Sequence, residues 1–225
     1  SAAVVAEEAS RVVAGEEAEE MTKRVTLLRH GESLANVKRG AARRDASLLD
    51  CGLTRRGVQQ AIEAGRRRTT DLVVSSPLTR AIETALHLEL DELDRSEMSA
   101  SSGTSRRRAP IVVHPLLRER GHSERNPLPE NLARPVPEIR ASLRRAVDVD
   151  FGLLPADWPV PVRRDDAGFL RWLCERPESD VWVVCHHNVI QDLLDDHATR
   201  VPNCLPIPCL LSPHGLLRPL VQSII

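Results

Sequence analysis

The sequence predicts an α/β fold, a three-layer α/β/α sandwich in which helices cover both faces of a mostly parallel sheet. Short apolar, β-branched runs alternate along the chain with stretches whose apolar residues recur at helical spacing. Strands separated by helices pair in parallel, because each helix returns the chain to the same end of the sheet. Two of the predicted strands also end in histidine, so the sheet is expected to bring reactive side chains to one edge.

The individual strands and helices follow from local patterns, taken in chain order. Strands are expected at four short β-branched runs: 25–28, 71–75, 111–113 and 181–185. A helix begins after Thr54, which can cap it, and a second helix, at 78–90, follows Ser76 as N-cap and Pro77 as first-turn proline. Further helices are expected at about 138–147, at 167–175 and from residue 189, and the proline-interrupted tail 201–225 is expected to form a last strand or a hairpin.

The composition suits a single domain with short additions. With 225 residues, of which 41% are hydrophobic, the chain can bury one core. Residues 1–20 are acidic and predict an appendage, helical or disordered, before an ordered domain at 21–225. Within that domain, the polar stretch at about 91–109 predicts a flexible insertion.

Charge and cysteine content argue against several classes of partner and compartment. The formal net charge of −1 gives no field that would attract nucleic acid or a membrane surface, and no apolar run reaches the roughly 20 residues of a membrane span. The five cysteines are odd in number and irregular in spacing, which indicates neither a disulfide framework nor a zinc site. This pattern is typical of a reducing compartment, so we expect a cytoplasmic protein.

The two strands that end in histidine, LLRH at 27–30 and VVCH at 183–186, provide the candidate site. Ligands of parallel sheets bind outside the carboxyl ends of the strands, so His30 and His186 are expected to face one another there. Arg80 lies about one turn into the helix that leaves a third strand at the same edge. Taken singly, His30 could be a core histidine and Arg80 a surface residue; together with Arg29 they predict one pocket.

Two arginines and two histidines in one pocket favour a phosphate ester as ligand. The guanidinium group matches phosphate oxygens with two parallel hydrogen bonds. Neutral imidazole is a competent nucleophile toward phosphorus, and nearby arginines lower the pKa of a histidine and keep it neutral. Gly31 allows the main chain to approach the phosphate closely, because it has no side chain.

Five motifs in order resemble those of the histidine phosphatase superfamily, also called phosphoglycerate mutase-like. The matching stretches are LLRHGES with Asn36, DCGLTRRGVQQA, LVVSSPLTRAIETA, PLLRE and VVCHHN, and a late Asn203-Cys204 also fits. The resemblance covers roughly residues 25–203. The stretch FLRWLCERPESDVWVVCHHNVI is most similar to the plant, algal and fungal branch of that superfamily.

The resemblance implies a role for each site residue. His30 becomes the nucleophile that forms phosphohistidine, and Glu119 becomes the general acid, although Arg-Glu-Arg taken alone could be a solvated surface. The remaining implied site residues bind the phosphoryl group: Arg29, Asn36, Arg80 and His186. His187 departs from the usual pattern of small residues after the second histidine, and either adds a phosphate donor or narrows the pocket. No metal or other cofactor is implied, since the arginines neutralise the charge.

The implied activity is a metal-independent phosphatase acting on a phosphomonoester, either a small phosphorylated metabolite or a phosphoprotein. Two alternatives stay open: a phosphoglycerate mutase, and a catalytically weak phosphate-binding or scaffold protein. A mutase has to exclude water from its phosphoenzyme. The proline-rich segment after Glu119 and the serine-rich insertion are expected to seal the pocket poorly, which favours the phosphatase.

Overall fold

The computed structural model describes residues 23–66, 70–88, 108–119, 127–143 and 148–220. The predicted appendage at 1–20 and most of the insertion at 91–109 lie outside these ranges. The strands are β1 Lys23–Arg29, β2 Leu72–Ser75, β3 Ile111–Val113, β4 Val149–Asp150, β5 Asp180–Cys185, β6 Ile207–Leu211 and β7 Leu217–Pro219. The helices are α1 Arg55–Gly65, α2 Thr79–Leu88, α3 Val136–Ser142, α4 Asp166–Glu175 and α5 His187–Leu194. Short 3-10 turns occur at Gly40–Arg44, Ala46–Leu48, Pro115–Leu117 and Pro129–Asn131.

The seven strands form one sheet in the order β4-β3-β2-β5-β1-β6-β7. The strands from β4 to β1 are parallel, whereas β6 and β7 pair antiparallel at the other edge, so the mostly parallel sheet and the terminal hairpin are both confirmed. In the pairing of β1 with β5, Arg29 lies opposite Cys185. The next residues, His30 and His186, therefore leave the sheet side by side.

Apolar side chains cover both faces of the sheet. Leu27 of β1 lies in one cluster with Phe169 of α4, and its neighbour Leu28 lies in the other with Ile82 of α2. Successive strand residues point to opposite faces, so β1 contributes to both clusters. Burial on both faces explains why the parallel strands read as continuous apolar runs in the sequence.

The chain that follows β1 is held against α1 where two glycines approach each other. A Cβ added to Gly31 would lie 2.5 Å from the carbonyl oxygen of Gly57, and a Cβ on Gly57 would overlap the carbonyl oxygen of Glu32. Thr54 caps α1 as predicted, because its Oγ1 accepts a hydrogen bond from the Gly57 N–H at 3.0 Å. The start of α1 therefore fixes the backbone beside the nucleophile candidate.

The beginning of α2 corrects the predicted cap. The helix begins at Thr79, and the carboxylate of Asp50 accepts hydrogen bonds from the Thr79 N–H at 2.8 Å and the Thr79 hydroxyl at 2.7 Å. The only backbone N–H from which the Ser76 hydroxyl accepts among the described residues is that of Leu78, at 3.3 Å and ahead of the helix. A carboxylate from a distant loop thus takes the role expected of Ser76, where it also complements the helix dipole.

Other boundaries differ by a few residues from the prediction. α3 spans 136–142 instead of 138–147, with 144–147 outside the described ranges, and α5 begins at His187 instead of residue 189. The two-residue strand β4 was not predicted, because so short a segment has no periodicity to detect. Among the described helices, none has the length and apolar character needed to cross a membrane. The described residues also contain no group of three or more His, Cys, Asp or Glu placed to hold a metal ion.

We expect Gly57→Ala to lower the free energy of unfolding by about 1–3 kcal/mol, because its methyl group would overlap the main chain at Glu32. Urea denaturation measures the change. Glu63→Ala on the same helix is the control, since the Glu63 side chain is 68% exposed. Equal stability of Gly57→Ala and the unmodified chain would contradict the tight approach.

Candidate active site at the carboxyl edge of the sheet

The two strand-terminal histidines meet at the carboxyl edge, as the sequence predicts. The ring centroids of His30 and His186 are 5.1 Å apart, with an interplanar angle of 60°. His30 is 3% exposed and His186 is 0% exposed. Both imidazoles are therefore enclosed by protein, so the groups around them determine their charge and tautomer.

Hydrogen bonds select one tautomer of His30. Its Nε2 lies 3.1 Å from the Nε of Arg80, and its Nδ1 lies 2.7 Å from the carbonyl oxygen of Gly31. A guanidinium group can only donate, so Nε2 must accept and Nδ1 must carry the proton that it donates to Gly31. This tautomer leaves a lone pair on Nε2, the form in which imidazole is a nucleophile.

Burial and neighbouring cations keep both histidines neutral. Burial lowers the pKa of His30 well below 6.5, and the charges of Arg80 and Arg29 lower it further, against a raising contribution from the Gly31 hydrogen bond. Burial likewise lowers the pKa of His186, with Arg80, His30 and Arg29 acting in the same direction. The prediction that nearby arginines lower the pKa of His30 is confirmed in direction.

Ser76, which the sequence suggested only as a helix cap, orients His186. The Nδ1 of His186 lies 3.3 Å from a terminal nitrogen of Arg80, so it must accept. Its Nε2 then carries the proton and donates to the hydroxyl of Ser76 at 2.7 Å. The sequence signal for this contact was the motif LVVSSPLTR, because its second serine, Ser76, directly follows β2.

Arg80 is fully enclosed, and a turn after Glu119 covers it. Arg80 is 3% exposed and donates to the carbonyl oxygen of Glu130 and, at 2.9 Å, to the Oδ1 of Asn131. Glu130 and Asn131 are themselves 4% and 7% exposed. The expectation that the proline-rich segment covers the pocket poorly is therefore wrong for Pro129–Asn131, hereafter the Glu130 turn. The sequence has no periodic pattern that predicts this turn. Its role depends on the contact between Glu130 and Arg80, which lie fifty residues apart in sequence.

Arg29 lies beside the histidines with part of its hydrogen-bonding capacity unused. It donates to the carbonyl oxygen of Val201 at 2.7 Å, while its buried Nε has no hydrogen-bond partner among the described residues. Burial lowers the pKa of Arg29, and nearby cations lower it further. An anion in the pocket would satisfy the remaining donor.

Glu119 is brought to the same pocket by the 3-10 turn Pro115–Leu117 that follows β3. Burial lowers the pKa of both Arg29 and Arg80, and the carboxylate of Glu119 is the first of the groups that raise each of them. Glu119 is half-buried. It therefore lies within electrostatic reach of both phosphate-binding candidates, which the solvated-surface interpretation would not explain.

Asn36 and Asn203 lie next to each other beside the main chain of His30. The Oδ1 of Asn36 accepts from the Ser33 N–H at 3.1 Å, and the amide of Asn203 donates to the carbonyl oxygen of His30 at 2.7 Å. The Asn36 oxygen is thereby occupied, so its side-chain NH₂ is the group left to donate to a ligand. Thr84, on the same helix face as Arg80, holds the loop by accepting from the Gly31 N–H at 3.0 Å.

His187 contacts the loop at Val201, the residue whose carbonyl oxygen accepts from Arg29. Its Nδ1 accepts a hydrogen bond from the N–H of Val201 at 3.3 Å, at the start of α5. This nitrogen supports the loop before β6 and cannot donate to a phosphate. Any donation by His187 would have to come from Nε2.

A buried network behind Arg80 was not anticipated. Arg134 donates to the Asp50 carboxylate at 3.3 Å and to the Thr79 hydroxyl at 2.9 Å. Burial raises the pKa of Asp50, which is 1% exposed, while hydrogen bonds from Thr79 and the charges of Arg80 and Arg134 act to lower it. The network anchors the first turn of α2 and hence the residue after Thr79, which is Arg80. Asp50 opens the quoted motif DCGLTRRG, so its position in the sequence was the available signal.

Comparison with known proteins identifies the group of proteins to which this arrangement belongs. The sequence model of the histidine phosphatase superfamily (branch 1) matches residues 25–204. Among solved structures, a putative alpha-ribazole-5'-P phosphatase from Escherichia coli is similar at 20% identity and a TM-score of 0.53, over 89% of this chain and 95% of that chain. The ecdysone phosphate phosphatase of Bombyx mori, in complex with tungstate, is similar at 19% identity and a TM-score of 0.50, over 90% and 96%. These likenesses support the predicted fold.

We expect the free energy of unfolding to fall as the pH drops below about 6.5. In this range His30 and His186 bind protons in the unfolded chain but stay neutral in the folded one, where their pKa is lowered. The contribution is fully present above that pH and is lost toward the lowered pKa of the folded state. Urea denaturation at pH 7.5 and 5.5 should show the decrease, and His30→Asn should reduce its size. The exposed His214→Asn is the control. A decrease of the same size in His30→Asn would show that His30 is not responsible.

Proposed function

Because the chain belongs to the histidine phosphatase superfamily, branch 1, we propose that it hydrolyses phosphomonoesters through a phosphohistidine formed on His30. The observation that supports this most directly is the tautomer of His30, whose Nδ1 proton is held by Gly31 while Nε2 faces Arg80. A neutral imidazole with its Nε2 lone pair directed at a cation has the chemistry of a phosphoryl acceptor.

In the proposed first step, the Nε2 of His30 attacks phosphorus and the bond from phosphorus to the ester oxygen breaks. Glu119 donates a proton to the leaving oxygen, which departs as an alcohol. In the second step, Glu119 accepts a proton from water as that water attacks phosphorus, and His30 leaves with inorganic phosphate released. Each step regenerates the protonation state that the other requires.

The charge of the transferring phosphoryl group is neutralised by protein side chains in this proposal. Arg29 and Arg80 supply positive charge, and the buried Nε of Arg29 is a donor without a protein acceptor among the described residues. The NH₂ of Asn36 adds a hydrogen bond to an equatorial oxygen, and His186 adds another when its Nε2 proton turns from Ser76 to the phosphate. Enclosure strengthens these interactions, since little water competes with them.

Small phosphorylated metabolites are the substrate class that we favour. The names of the two similar phosphatases describe esters of this kind, and His30 is buried. A phosphoprotein would have to insert its phosphorylated side chain past the Glu130 turn.

We also propose a cytoplasmic location, which the five free cysteines support. The sequence of the stretch that begins at Phe169 supports a place in the plant, algal and fungal branch of the superfamily.

We expect His30→Ala to lose more than 99% of the hydrolysis of p-nitrophenyl phosphate, roughly a hundredfold or greater effect, because the nucleophile is removed. Acid quench during turnover of a ³²P-labelled ester should trap acid-labile phosphoenzyme in the unmodified chain and none in His30→Ala. His214→Ala is the exposed histidine control.

Adding 3-phosphoglycerate with its bisphosphorylated primer separates the phosphatase from the mutase. Formation of 2-phosphoglycerate without free phosphate would establish a mutase and overturn the phosphatase.

We expect Glu119→Gln to slow the hydrolysis of alkyl phosphates about 10²–10⁴-fold and that of aryl phosphates much less, since a good leaving group needs less protonation. The kcat values for glycerol 3-phosphate and p-nitrophenyl phosphate measure the difference. Glu138→Gln, in the exposed first turn of α3, is the matched control. An equal loss on both esters would remove Glu119 from the role of general acid.

A further inference from the structure

The Glu130 turn occupies the donors that a phosphate would use. Arg80 donates through Nε to His30 and through its terminal nitrogens to the Glu130 carbonyl oxygen and the Asn131 side chain. Bidentate binding of phosphate needs two parallel N–H groups of one guanidinium. A phosphoryl group that binds both terminal nitrogens of Arg80 would therefore compete with the acceptors of the Glu130 turn.

The same turn places a carboxylate on a second arginine. Glu130 forms an ion pair with Arg43 of the 3-10 turn Gly40–Arg44 through Oε1 alone. The Oε2 of Glu130 and the Nε of Arg43 are buried without hydrogen-bond partners among the described residues. The ion pair therefore uses one carboxylate oxygen of Glu130, and Arg43 loses this ion pair when the turn moves.

Arg43 is connected to the phosphate site through Glu130, whose carbonyl oxygen accepts from Arg80 while its carboxylate pairs with Arg43. Burial is the main cause that lowers the pKa of Arg29, and the charge of Arg43 is one of the cations that lower it further. The side chain of Arg43 is 38% exposed, so part of it is accessible to solvent. A cation in this place would attract a second negative group of a molecule whose phosphate lies on Arg29 and Arg80.

We propose that Arg43 is a specificity-determining residue, which binds a carboxylate of the substrate in place of Glu130. The inference rests on the proposed function, since the phosphoryl group anchors the substrate. Glu130 alone supplies both an oxygen to Arg80 and a carboxylate to Arg43. A phosphate ester with a carboxylate a few bonds from its phosphate reproduces both contacts, so phosphorylated carboxylic acids are the substrate class that fits.

Binding to the full chain carrying His30→Ala tests this without turnover. Isothermal titration calorimetry compares 3-phosphoglycerate with glycerol 3-phosphate, which has a neutral hydroxymethyl group where the former has a carboxylate. We expect 3-phosphoglycerate to bind about fivefold or more tightly, as a charge-assisted contact would give. Arg43→Gln should abolish that preference, and the exposed neighbour Arg44→Gln should retain it. Glu130→Gln should strengthen 3-phosphoglycerate binding, a gain that structural damage would not produce.

The possible outcomes separate the two proposals. Equal affinities for the two ligands, no binding of either, or a preference that survives Arg43→Gln would overturn the role of Arg43, whatever the catalytic activity. If the preference holds but the unmodified chain forms no phosphoenzyme and releases no phosphate, the hydrolytic function fails and the carboxylate site remains. Phosphate release together with a preference lost only in Arg43→Gln supports both.

Discussion

The buried guanidinium of Arg80 is the interaction on which the rest of the site depends. A cation that is 3% exposed is tolerated only when its donors are satisfied and its charge is balanced. Arg80 satisfies its donors by binding the two histidines and the Glu130 turn through neutral acceptors, while Glu119 and Asp50 offset its charge. The sheet edge, the covering turn and both imidazoles are therefore arranged around one charged group.

Enclosure of several cations also explains the state of the histidines. Two nearby guanidinium groups in a poorly hydrated pocket disfavour any further positive charge, and so they hold both imidazoles neutral. The opposing charges are Glu119 toward the pocket and Asp50 behind it. Burial of these cations is still costly in free energy, and a bound dianion would offset the cost. The proposed binding of phosphate thus follows from how the fold buries its arginines.

The parallel strands and the two strand-terminal histidines could be predicted from the sequence, because both depend on local sequence patterns. Continuous apolar runs gave the parallel strands, and the histidines that end β1 and β5 followed from the rule for strand ends. The cap of α2 could not be predicted, since Asp50 reaches it from a distant loop. The Glu130 turn was missed for the same reason: its burial depends on Arg80 and not on any pattern of its own.

The closed pocket bears on how water would reach a phosphohistidine in the proposed mechanism. The Glu130 turn contacts Arg80 through acceptors that phosphate oxygens would replace. Once the leaving alcohol has departed, a phosphoryl group on His30 would still compete with the turn for the terminal nitrogens of Arg80. In the proposed mechanism the Glu130 turn is therefore displaced while the phosphoenzyme exists, and water can enter on that side. A cover that closes only on the phosphate-free enzyme favours hydrolysis, whereas a mutase needs its cover closed on the phosphorylated one.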